Sequence, residues 1–83
     1  MKDLAEQQPE QEFYLYKLEA VLEENKLMTI IVMADSDAKA FTYAENNLLR
    51  HTIAPPRVKE LSIVQKKPMT RGGVGYVVET LQF

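Results

Sequence analysis

Two apolar stretches, Phe13 to Leu22 and Leu27 to Ala34, are separated by only four polar residues, Glu23-Glu24-Asn25-Lys26. This spacing constrains the fold more than any other feature of the chain. The first stretch alternates. Tyr14, Tyr16, Leu18, Ala20 and Leu22 share one parity, and Phe13, Leu15, Lys17, Glu19 and Val21 share the other. Successive side chains of a strand point to opposite faces, so period-two alternation rich in Tyr and Phe predicts a strand. The second stretch is apolar at both parities, with Met28, Ile30 and Val32 on one and Leu27, Ile31 and Met33 on the other. It predicts a second strand. The polar connection holds Asn25, which tolerates a positive φ, and closes the two strands into a hairpin.

The segment ADSDAKAFTYAENNLLRH changes to helical spacing, with Ala40, Phe41, Ala44, Leu48 and His51 along one stripe. Ser36 or Asp35 can accept a bond from a free backbone N–H at its start, and Asp37 suits the positive end of the dipole. Arg50 and His51 suit the opposite end, and Pro55-Pro56 forbids continuation. Val58 to Lys67 predicts a third strand. Pro68 to Gly73 predicts a loop in which Gly72 or Gly73 takes a positive φ, and Val74 to Leu81 a fourth strand. The order β-β-α-β-β reads as α+β, with a mainly antiparallel four-stranded sheet and one helix on one face. Strand order does not follow from the sequence.

A chain of 83 residues, 46% hydrophobic and 27% charged, has the length and composition of one globular domain. Residues 1–11 offer only Leu4 to a core and predict a mobile Gln- and acid-rich tail, which leaves 12–83 as the folded unit. The first residues lack the apolar run and basic charge of a signal or transit peptide, and no apolar run is long enough to span a bilayer. With no Cys there is no disulfide, no thiolate nucleophile and no Cys-bound metal. A cytoplasmic protein without membrane contact is expected.

Catalytic groups are scarce, and no catalytic residue, cofactor or metal site is expected. His51 is the single histidine, and a place at a helix C-terminus explains it better than a role as general base. Asp35-Ser36-Asp37 lacks the further oxygen ligands and the Gly of a calcium loop, and capping accounts for it. Gly72, Gly73 and Gly75 precede a predicted strand, whereas a phosphate loop leads into a helix. The stretch RGGVGYVV faintly echoes an RNA-recognition signature but has glycines where stacking aromatics belong.

Two surface readings remain. A single helix covers one face of a sheet, yet apolar residues occur at both parities of the first two strands. Phe13, Leu15, Val21, Leu27, Ile31 and Met33 therefore predict a homodimer interface on the uncovered face, or one for an unidentified protein partner, and a non-enzymatic interaction module. Which parity meets the helix stays open, because one residue of register exchanges them. Charge is also unevenly placed. Residues 1–45 carry ten acids against four lysines, while 46–83 carry six basic residues against two acids. If Arg50, Arg57, Lys59, Lys66, Lys67 and Arg71 converge, they form an anion patch for a nucleic-acid-associated regulator. Strand lysines and Pro68 equally guard an edge against aggregation.

From Tyr14 onward the strand YLYKLEAVL, the helix entry ADSDAKAFTYAE, the stretch VKELSIVQKKP and the terminal GGVGYVVE carry a resemblance. The chain resembles a domain-of-unknown-function family of short proteins from Bacillus-type bacteria. The resemblance covers about seventy residues, excludes the tail, implies a bacterial cytoplasmic protein and supplies no site residue.

Overall fold

The hairpin forms where the alternation places it. In the computed structural model, which describes residues 12–51 and 57–79, β1 (Tyr14–Leu22) pairs antiparallel with β2 (Leu27–Ala34). The Leu22 N–H donates to the Lys26 carbonyl at 2.8 Å and closes the turn Glu23–Asn25. Asn25 takes the positive φ expected of it, 60°, and Glu24 takes one too, 66°. Ser36 caps the helix α1 (Asp37–His51), its hydroxyl oxygen accepting from the Lys39 N–H at 3.2 Å. The strand β3 (Val58–Pro68) then pairs antiparallel with the other edge of β1, so the sheet order is β2-β1-β3.

Register settles which parity meets the helix. Tyr16, Leu18, Ala20 and Leu22 of β1 are buried, with Ile30, Val32 and Ala34 of β2 beside them. From above they meet Ala40, Ala44 and Leu48, three positions at helical spacing, with Phe41 packed alongside. The two alanines let the helix lie close to the sheet, and Leu61 and Ile63 of β3 complete the layer. Two register shifts against β1 break the alternation of β3. Val64 and Lys59 are the extra residues, since Gln65 pairs with Lys17 while Ile63 pairs with Leu18, and Glu60 pairs with Val21 while Val58 pairs with Leu22. Each bulge inverts the side-chain phase. Lys66 therefore shares the helix side with Ile63 and Leu61.

Among the described residues the expected fourth strand is absent. The sheet has three strands, and residues 74–79 join no ladder. The reason lies at Pro68. Met69 N–H donates to the Phe13 carbonyl at 2.9 Å, so Phe13 and Met69 form a hydrogen-bonded pair, and the backbone of Pro68 faces away from β1. A returning strand would have to pair there first, where proline supplies no N–H. The segment is held instead by Tyr76, whose hydroxyl donates to the Leu15 carbonyl at 2.6 Å. Val77 and Val78 stay exposed. The tail at 1–11, Pro55-Pro56 and the end of the expected strand at 80–81 lie outside the described residues.

Candidate interaction surface

The helix leaves one face of the sheet open, and cross-strand pairing orders it in rows. Met33, Leu15 and Lys67 form the first row, and Ile31, Lys17 and Gln65 the second. Thr29, Glu19 and Ser62 follow, then Leu27, Val21 and Glu60. The face is thus graded, apolar along β2 and polar along β3. Leu27, Met33 and Ile31 are 66%, 51% and 40% exposed, high values for side chains of their size. The Lys67 ammonium lies 4.6 Å from the Tyr76 ring centre and donates to the Gly75 carbonyl at 2.9 Å, so residues 75–76 engage the β3 side of this face. The β2 side has no such contact among the described residues.

The two outer strands differ as edges. Even-numbered residues of β1 direct their backbone groups to β2 and odd-numbered ones to β3, as the Leu22–Lys26 and Phe13–Met69 bonds fix. It follows that Leu27, Thr29, Ile31 and Met33 point both N–H and C=O away from β1. Over Leu27–Ala34 this strand has no charge, no proline and no register shift. Along β3 stand Lys59, Lys66, Pro68 and both bulges, the usual guards against strand addition. Beside the open edge lies a groove of about 440 Å³, walled by Met28, Thr29, Ile30 and Ile31 of β2 and by Asn47, Leu48, Arg50 and His51 of the helix end.

Residues 13–78 match the model of the family described as Protein of unknown function (DUF3906). The chain belongs to that family. No curated protein and no solved structure matches it. Among the described residues the matched span contains all three strands and the helix of this chain, together with Gly73 and Tyr76. Family membership brings no activity with it, so the site has to be argued from the residues.

Of the six apolar residues expected to form an interface, all six lie outside the buried core. Leu15, Val21, Leu27, Ile31 and Met33 share the open face, and Phe13 precedes the same parity of β1. The basic residues are spread. Arg50 lines the groove at the helix end, and Arg57 stands 3.8 Å from Glu23 at the far end of β3. Lys59 and Lys67 are eight residues apart on one strand, roughly 26 Å. Lys66 and Lys67 face opposite sides of the sheet, and Arg71 is in the following loop. His51 is exposed on the groove wall.

One cluster was not legible in the sequence. The Tyr16 hydroxyl donates to Asp37 Oδ1 at 2.8 Å, and Lys66 Nζ stands 3.2 Å from the same oxygen. That ammonium also lies 4.8 Å from the Tyr14 ring centre. Burial first, and then the bond to Asp37, pushes the Tyr16 phenol up to about 12. The bonds from Tyr16 and Lys66 hold the Asp37 carboxyl below its ordinary range. The trio ties the helix start to β1 and β3 and has a structural role. Its members are 21 and 29 residues apart. The only sequence hint is a tyrosine on the core side of a strand, whose hydroxyl needs a partner.

Proposed function

We propose that this domain is a non-enzymatic protein-interaction module that pairs with its own copy through the β2 side of its sheet. The observation that carries the reading is the open row Leu27, Ile31 and Met33, which lies on the one sheet face without a helix. Side chains of this size gain roughly 1.5–3 kcal/mol each on full burial. A second copy is the simplest cover, since two-fold homodimers are the commonest soluble assemblies. The spread of the basic residues and the engagement of Lys66 and Lys67 in contacts within the chain weigh against a phosphate-binding surface. Light scattering coupled to size exclusion, from 1 to 100 micromolar (a range set at about the affinity of weak homodimers), tests the proposal. The expected mass is that of two chains at the upper end. A single-chain mass throughout refutes self-association.

A further inference from the structure

We infer that the two copies join strand to strand, along the free edge of β2, into one continuous six-stranded sheet. This rests on the self-pairing proposed above and places it at the strand edge, where Leu27, Ile31 and Met33 of one copy lie side by side with Met33, Thr29 and Leu27 of the other and are partly covered laterally, not by a stacked face. The outward backbone groups of Leu27, Thr29, Ile31 and Met33 are spaced as one side of an antiparallel ladder. A two-fold axis beside Ile30 sets Leu27 against Met33 of the other copy and Thr29 against Ile31. In that register every outward N–H and C=O of the four residues finds a partner, whereas a slip of two residues in either direction strands some of them.

Three observations single out this occupant. The strand is self-complementary about Ile30, with medium or large side chains matched on either side of it and no charge to repel its copy. Charges appear only past its ends, Lys26 at one and Asp35 at the other. The antiparallel register places Lys26 opposite Ala34 of the second copy, and Asp35 is held by Lys39 of its own chain at 3.2 Å, so no like charges meet at either end. The other edge of the same sheet carries lysines, proline and bulges, so strand addition is blocked on β3 and permitted on β2. An extended foreign peptide can use the same edge groups, but it does not account for the match of the strand to its own reverse.

Backbone and face substitutions separate this arrangement from a stack of open faces. Thr29→Pro removes an N–H that points away from β1, so the ladder within the monomer keeps its bonds. Val21→Glu places a charge on the open face, on the central strand and away from the edge. The expected result is a dimer split by Thr29→Pro, with its dissociation constant raised at least tenfold, and left within about twofold by Val21→Glu. A dimer split by Val21→Glu but not by Thr29→Pro overturns the edge arrangement while leaving self-pairing intact. A wild-type monomer refutes both readings. Should Thr29→Pro unfold, amide exchange in the wild-type protein decides. The amides of Thr29 and Ile31 slow tenfold or more as concentration rises through dimerisation if the edges pair. They exchange at one rate, independent of concentration, if the faces stack.

Discussion

Tyr16→Phe removes one oxygen from the centre of the sheet and leaves the ring in place. The ring is fully buried, and its hydroxyl bonds to a carboxylate at 2.8 Å. A hydrogen bond to a charged partner contributes about 1.5–3 kcal/mol when shielded. The Asp37 side chain is 59% exposed and can recover water in place of the phenol, so the lower figure is further reduced, to about 1–1.5 kcal/mol. In a domain of this size each kcal/mol moves the thermal midpoint by about 4–8 °C. The pH dependence is the sharper test. Asp37 has a depressed pKa, so its share of the bond is present above the ordinary value of 3.8 and fades as pH falls through the folded value. Tyr16 has a raised pKa, so its share is complete below pH 10 and fades as pH rises toward about 12. The difference between wild type and Tyr16→Phe is therefore a plateau that shrinks at both ends. Urea unfolding followed by circular dichroism at pH 3, 7 and 10.5 measures it. A difference that is independent of pH, or a midpoint shift under about 1 °C at pH 7, refutes the assignment of the bond.

Other positions give simpler expectations. Gly73 has a φ of 91°, so Gly73→Ala costs about 1 kcal/mol or more, whereas Gly72→Ala, where a methyl meets nothing within 4 Å and φ is not positive, costs less; paired thermal melts of the two variants check this. Glu24 holds a positive φ of 66° without the freedom of glycine, so Glu24→Gly stabilises by about 0.5 kcal/mol after the entropy glycine adds to the unfolded chain. A lower denaturation midpoint in urea contradicts it. Lys66→Met breaks a half-exposed ion pair with Asp37 and removes the ammonium 4.8 Å from the Tyr14 ring centre, so it lowers stability by about 0.5–1 kcal/mol, and an unchanged urea midpoint contradicts it.

Local features of the fold were legible and non-local ones were not. The hairpin follows from alternation and a polar turn, and the helix start from Ser36, because each is decided by residues within a few positions of one another. The positive φ at Asn25 was readable from residue type, while that at Glu24 was not, since glutamate gives no sign of it. The fourth strand failed because Val74, Tyr76, Val77 and Val78 carry strand-like side chains, and propensity does not register what Pro68 withholds from the neighbouring edge. The apolar residues of the open face were singled out from excess apolar parity alone. The asymmetry between the two edges needed the order β2-β1-β3, which no local pattern encodes. The phase of Lys66 likewise depended on two bulges that make the alternation of β3 appear irregular.

The position of β1 also has a consequence for the timing of folding. The strand is central in the sheet yet first in the chain, and Tyr16 pairs with Val32 on one side and with Lys66, 50 residues on, across the other. Closing the longer loop costs only about 1 kcal/mol more than the shorter one, so it scarcely affects the finished stability. Its effect is kinetic. The hairpin can form within microseconds, and the helix is complete once residue 51 has left the ribosome. The inner edge of β1 stays unpaired until β3 follows, about one to three seconds later at ordinary rates of synthesis. During that interval the side chains beside the waiting edge include Lys17 and Glu19, charges set among Leu15 and Val21. Charges in that position disfavour pairing of the waiting edge with another strand.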